Sequence, residues 1–435
     1  MSSSSTTIYS SGGEEIYALV LSIGTNNTTI GFAGESSPRS VFPSYVGVSQ
    51  AMSDASSASS RFVGAQKLSF RRDNVALESP LTDGIITNFD HAHSIVEHAV
   101  EDRLGLKSSE HPVLMSEVSF NTMEAREKTI SMLFERFDTP AVYMAKSAVL
   151  SAFAAGKQTA LVLDSGAGIT CVSPVYDGYV LNQGVVYNTY AGNYVTDQLL
   201  KQIQVRGSVL RPTYTYRKHK LAEGEFKLDH FTFPKTHPSY ERWSLRNLLE
   251  DVKSSLFKAH EEPWRPTTHT PIVEYELPDE NKLSVGAERF SVPEEFFTPS
   301  ALEDKDNKTN KVQESSELDT TKTKLKSKCF HVLAHSAIMR SPADVRKELF
   351  STSILTGGNT LIQGIAKRFE NELTTLAPQN IRVKAPIASA NANLERRCSE
   401  WVGGSILGSL GSFQNMWISR AQYEEHGDSI VLRLG

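Results

Sequence analysis

Asp164 ends an apolar run, Ala160-Leu161-Val162-Leu163, and is followed at once by Ser165-Gly166-Ala167-Gly168. A glycine-bearing turn lets the backbone come close to an anion and aim its N–H groups at it, because no Cβ stands in the way. A carboxylate at the end of the preceding strand can hold a hydrated Mg²⁺ beside the phosphates. The chemistry on offer is the wrapping of a polyphosphate and its metal, although a purely structural hairpin reads the same way. A second glycine turn, Gly24-Thr25-Asn26-Asn27, follows the apolar run Ala18-Leu19-Val20-Leu21. A third, Leu355-Thr356-Gly357-Gly358-Asn359-Thr360, leads into helical spacing over residues 361–373. A helix N-terminus behind a double glycine favours nucleotide contact, here through Gly357, Gly358, Asn359 and Leu361. Neither G-x-x-x-x-G-K-[ST] nor a strand-linked G-x-G-x-x-G occurs.

Such turns need rigid elements behind them. Two are strand–turn–strand units, continued by Thr28-Thr29-Ile30 and by Ile169-Thr170-Cys171-Val172. Their recurrence about 140 residues apart predicts a duplicated unit. Helices are expected over 122–137 and 141–153, where apolar residues recur at helical spacing. Alternating strands and helices argue for α/β domains.

The chain has 435 residues, with 45 Lys+Arg against 50 Asp+Glu, a net charge of −5, 39% hydrophobic and 22% charged residues. These values exclude wholesale disorder. At roughly 150 residues per domain, two or three packing units are expected. No stretch reaches the ~18 apolar residues of a membrane span, and the Ser-rich start lacks the features of a secretory signal. Cys171, Cys329 and Cys398 are far apart, which suits a reducing compartment better than a disulfide framework or a structural zinc site. A slightly acidic chain is not built to coat DNA through bulk charge.

Residues 1–15 are expected to form a disordered tail. Three segments read as insertions. Residues 49–60 are rich in Ser and Ala. Residues 206–243 include a Tyr/Arg/Lys run at 211–220 that could meet nucleic acid or an acidic histone face but reads better as a surface loop. In the insert at 301–328, positions 303–328 carry 13 charges in 26 residues and predict disorder. His91, His93 and His98 suggest a metal cluster by spacing; ordinary satisfied or exposed histidines are the better reading.

From about Ala18 to Ile430 the sequence resembles actin and the actin-related proteins. The resemblance rests on ALVLSIG (18–24), GFAGESSPRSVFPS (31–44), the stretch from AREKTISMLFERFD to SAFAAG (125–156), LVLDSGAG (161–168), TGGNTLIQG (356–364) and WVGGSILGSLGSFQNMWISRAQYEE (401–425). HPVLMSE (111–117), GAERFSVPEEFFTPS (286–300) and ERRCSEWVGGSI (395–406) are similar to the nuclear, fourth class of actin-related proteins. The resemblance implies an α/β, actin-like, duplicated ribonuclease-H-like ATPase fold with two lobes around a nucleotide cleft. Residues 16–158 and 393–435 would form the first lobe (actin subdomains 1 and 2). Residues 159–392 would form the second (subdomains 3 and 4), with the inserts at 206–243 and 301–328. ATP, with Mg²⁺ on Asp164, would be held by Gly24, Thr25 and Asn26, by Asp164, Gly166 and Gly168, and by Gly192, Lys253, Gly357, Gly358, Asn359, Leu361 and Arg397.

The departures from the family pattern matter as much. Ser22 replaces an acidic residue, Asn26 a glycine and Thr29 the phosphate-binding lysine. Ala167 replaces a second aspartate, Ser254 a glutamate and Arg397 a lysine. The water-positioning glutamine falls at Ser147 and its histidine neighbour at Cys171. A lost lysine–phosphate contact costs roughly 1.5–3 kcal/mol, about ten- to a hundredfold in affinity, which binding can survive. Hydrolysis needs aligned water and stabilised charge, and each missing group removes roughly 10²–10³ in rate. The expectation is a structural ATP with slow or no turnover and no catalytic residues.

The resemblance also implies a nuclear, non-enzymatic scaffold of chromatin-remodelling and histone acetyltransferase complexes. It would dock beside nuclear actin on the helicase-SANT-associated helix of a remodelling ATPase or on an acetyltransferase scaffold. Histones are a further candidate partner, and neither membrane binding nor self-polymerisation is expected. Phe153, Tyr179, Leu407, Leu410 and Met416 match positions lining the apolar groove between actin's lobes, a place for an amphipathic helix. Core packing is the competing reading there and the assigned one for Ile406 and Phe413. The alternatives are an active ATPase or sugar-kinase-like phosphotransferase, with Asp164 as its one candidate carboxylate, and a filament-forming cytoskeletal subunit.

Overall fold

The computed structural model describes residues 17–49, 60–222, 225–298, 323–325, 329–384 and 396–434. The expected tail, nearly all of the 49–60 segment and most of 301–328 lie outside the described residues.

Two six-stranded sheets form the centre. The first runs in the order Ile418–Ser419, Ala141–Lys146, Val113–Glu117, Leu19–Ile23, Asn27–Phe32, Ser40–Pro43. Along the second lie Thr323–Lys324, Val186–Asn188, Thr170–Tyr176, Ala160–Ser165 and Ser353–Thr356, with Tyr179–Val180 beside Thr170–Tyr176. Each sheet repeats one arrangement. A buried strand turns back antiparallel on itself and pairs in parallel with a strand arriving from a crossover. Leu19, Val20 and Leu21 are fully enclosed, as are Leu161, Val162 and Leu163. Parallel strands covered on both faces read as continuous apolar runs, and these do.

That property explains one correction. Residues 141–146 are a strand, and the helix there spans only Ser147–Ala154. Ala141 to Lys146 pairs in parallel with Val113–Glu117, and a short apolar run cannot be assigned by periodicity alone. The expected 122–137 helix is Met123–Ser131, continued by π-helical turns over Met132–Arg136. The third glycine turn opens a 3₁₀ turn, Gly358–Leu361, and the α-helix Ile365–Leu376 starts only after Gly364. Ile406 is 38% exposed and not core, whereas Phe413 is buried as expected. Ile406 faces outward because helix Ser399–Ser409 turns its glycines inward. A Cβ on Gly403 would stand 1.8 Å from the Leu150 carbonyl oxygen.

The 206–243 insert is folded. It carries a hairpin, Tyr216–Ala222 with Glu225–His230, and its end belongs to the long helix Pro238–Leu256. Several of its polar and charged side chains are paired: Arg211 with Asp279, Lys218 with Glu280, and His219 and Lys227 with Asp229. Its aromatic residues cross to the other half of the molecule. There a small sheet (Val46–Ser49, Arg61–Val63, Val75–Glu78) and helix Ala65–Ser69 present Leu68 and Leu77. Tyr240 is buried against them, with Tyr45, Phe62, Tyr214 and Trp243 around it. The Tyr240 hydroxyl donates to the Leu68 carbonyl at 3.0 Å, and the Leu77 N–H donates to Ser239 Oγ at 2.8 Å. The Arg71 guanidinium lies 4.2 Å from the Phe233 ring centre.

Candidate functional site

Both hairpins point into one cavity of about 470 Å³, within the ~300–1,000 Å³ of typical small-ligand sites. Gly24, Thr25, Asn26, Asp164, Gly166, Gly168, Gly192, Lys253, Gly357, Gly358, Asn359 and Arg397 all line it. Leu361 does not, contrary to the sequence-based expectation; it is the last residue of the 3₁₀ turn Gly358–Leu361.

The hairpins are superimposable in plan. Gly24 N–H donates to the Asn27 carbonyl and Gly166 N–H to that of Ile169, both at 3.0 Å. The amides of Thr25, Asn26, Ala167 and Gly168 have no acceptor among the described residues. Successive amides held this way form a nest for an anion. The Asn359 side chain supports the second hairpin from behind, donating to Ser165 Oγ and to the Gly166 carbonyl. Gly357 has φ +86°, and a Cβ there would stand 2.3 Å from the Ser165 carbonyl oxygen and 2.6 Å from Asp164 Oδ1. Only glycine lets the third turn close against the second hairpin.

Asp164 accepts no hydrogen bond among the described residues, and burial together with the Glu400 carboxylate pushes its pKa up to about 7. An unpaired carboxylate beside two anion nests fits a polyphosphate carrying a divalent metal. On the opposite wall Lys253 is buried, ion-paired with Glu250 and within reach of Thr196.

The hydrolytic positions look different. Ser147 lines the cavity, but Cys171 does not. The Cys171 thiol is buried, which pushes its pKa well up, so it cannot act as a base near neutrality. Thr29 lines the cavity with a hydroxyl, and Ser254 is exposed, donating to Asp251.

Sequence reasoning missed several cavity residues. Glu117, at the end of a central strand, is ion-paired with Arg126 at 3.0 Å and Lys146 at 2.8 Å, all three nearly buried. Glu400 also faces the cavity, where it accepts from Ser22 and Ser116. Its pKa is raised by burial, against those two hydrogen bonds. No short-range pattern signals these pairings, because Ser22 and Glu400 lie 378 residues apart.

The five groove positions sit on elements that pack together: Phe153 on helix Ser147–Ala154, Tyr179 on its short strand, Leu407 and Leu410 at the end of helix Ser399–Ser409, and Met416 beyond it. Tyr179, Leu410 and Met416 are exposed, while Phe153 and Leu407 are half-buried. The three histidines go separate ways. His91 nears Glu78, His98 bonds Asp102 and His93 stacks on Phe137. No metal-ligating cluster of three such side chains occurs among the described residues, and no described helix is long and apolar enough to cross a membrane.

The actin family model matches residues 13–434. Actin-related protein 4 of Arabidopsis thaliana is 37% identical over 447 residues, covering 97% of this chain and 99% of that protein. Actin-related protein 4 of Oryza sativa subsp. indica is 36% identical over 450 residues, with the same coverages of 97% and 99%. That of Schizosaccharomyces pombe is 32% identical, covering 96% of each chain.

Proposed function

The chain belongs to the actin family, in its actin-related protein 4 class, and from that premise we propose that it is a nuclear scaffold subunit that holds ATP without turning it over. The observation that carries this reading is the contrast inside one cavity. The two glycine hairpins, Asp164, Lys253 and Arg397 line it together, while the two positions that the resemblance assigns to water alignment are Ser147 and a buried Cys171 outside the lining.

Bound ATP would supply a triphosphate and metal that tie the two lobes. The chain's own residues do the holding: the amides of both hairpins face the phosphates, Asp164 faces the metal, and Lys253 with Arg397 flanks the nucleoside end. Binding of this kind stabilises the fold by mass action. The assemblies we propose are chromatin-remodelling and histone acetyltransferase complexes, with actin beside this chain on a long helical segment. Tyr179, Leu410 and Met416 offer exposed apolar side chains for such a helix.

A steady-state ATPase measurement on purified, actin-free chain tests the core of the reading. ATP should co-purify or bind with essentially no phosphate release. Turnover at the level of actin filaments would reject it in favour of the active ATPase. Affinity purification from native extract, with co-eluting chains identified, tests the assembly.

A further inference from the structure

The duplicated plan gives each hairpin residue a counterpart. Ser22 pairs across its hairpin with Thr29, as Asp164 pairs with Cys171. Ser22 is therefore the position at which the first hairpin lacks the carboxylate that the second one has. The structure places another carboxylate there. Glu400, from the first turn of helix Ser399–Ser409, accepts from the Ser22 hydroxyl and from Ser116 Oγ at 3.3 Å. Its position is fixed from both sides. Ser399 Oγ is bonded to Ser151 and Thr356, and Trp401 Nε1–H donates to the Val20 carbonyl at 2.9 Å. The side chain lines the same cavity as Asp164 and repels it.

Neither Asp164 nor Glu400 has a cation paired with it among the described residues. The cations lining the cavity among the described residues are Lys253 and Arg397, and Lys253 is already paired with Glu250. Where a phosphate-binding lysine would reach in, this chain has Thr29. Arg397 is exposed, and Arg126 and Lys146 are engaged with Glu117, so a bare triphosphate would meet two carboxylates, Asp164 and Glu400, that no cation pairs among the described residues, and like charges close together repel. A triphosphate carrying a divalent cation would present positive charge to both.

We propose that Glu400 stands in for the carboxylate absent at Ser22, and that it makes nucleotide binding by this chain conditional on a divalent cation. The proposal rests on the nucleotide reading above. The test is calorimetric titration of the nucleotide-stripped full chain with ATP, once in Mg²⁺ and once in EDTA. The wild-type chain should bind at least about 100-fold more weakly in EDTA. Glu400→Gln, which keeps the hydroxyl contacts but removes the charge, should shrink that gap to about tenfold or less by improving the metal-free affinity. Glu400→Asp should retain the wild-type gap, and matching thermal melts would show all three chains folded. Equal wild-type affinity with and without metal, or an unchanged gap in Glu400→Gln, would overturn the assignment while leaving the nucleotide site standing. No ATP binding to any of the chains in either buffer would overturn the nucleotide reading, and the assignment with it.

Discussion

In the first hairpin Ser22 faces Thr29 across the strands; in the second Asp164 faces Cys171. Both turns close with the same hydrogen bond, and both leave two amides free toward the cavity. The turn backbone is thus the same in both hairpins, while a carboxylate ends the strand only in the second. Backbone amides can wrap an anion whatever side chains flank them, so on the proposed reading holding would survive substitutions that end hydrolysis. Charge then has to come from elsewhere in the chain, and around the first hairpin it does, from Glu117 and Glu400.

The comparison can be broken most severely at Glu117, behind the first hairpin. Glu117→Gln removes the carboxylate that pairs with both Arg126 and Lys146, two nearly buried cations. Breaking a buried ion pair from one side costs about 3–5 kcal/mol, readable as a lower midpoint in urea unfolding. Beside the second hairpin, Thr356 pairs in register with Asp164 and is bonded through its hydroxyl to Ser399 and to the Arg396 carbonyl. Thr356→Val there should cost only about 1–2 kcal/mol.

At the second hairpin itself, Asp164→Ala should lower Mg-ATP affinity by about 100-fold, equivalent to roughly 2.7 kcal/mol. An unchanged affinity would detach the cavity from nucleotide altogether. The comparison sharpens in the other direction at Thr29. Thr29→Lys should raise metal-free ATP affinity by about tenfold without restoring turnover, since Ser147 and Cys171 are unchanged. Phosphate release from that variant would show that the missing lysine alone had silenced the site.

The smallest expected effect concerns acid. His91 in the first half is buried and His331 in the second is half-buried, and lost hydration holds each pKa below the ordinary histidine value. Folding therefore favours the neutral form of both, whereas the unfolded chain takes up protons below a pH of about 6.5. Stability from this source is therefore present above that pH and lost as pH falls through the folded pKa. Thermal melts between about pH 7 and 5 should show the loss, and His91→Gln with His331→Gln should flatten it more than either alone.

Much of this was legible in the residues. The glycine turns and the apolar runs before them located both hairpins, and the ordered motif matches carried the family. Local pattern failed where two structures share one composition, as at 141–146, where a strand buried on both sides reads like a helix. It failed again at Leu361, because a 3₁₀ turn and a glycine at positive φ delay the helix behind it. Ile406 was misplaced because the glycines of its helix, and not its largest side chain, make the closest contact. The cavity carboxylates lay outside what spacing can reveal, since the chain folds Glu400 onto Ser22 from its far end.

The aromatic contact around Tyr240 bears on time as well as on shape. Helix Pro238–Leu256 carries Tyr240 near one end and the cavity residues Glu250 and Lys253 toward the other. It is fastened to Leu68 and Leu77 from the opposite half. Spreading the walls means unfastening that seam first. If a nucleotide is held there as proposed, loosening the seam should shorten its residence while leaving the cradle that holds it untouched.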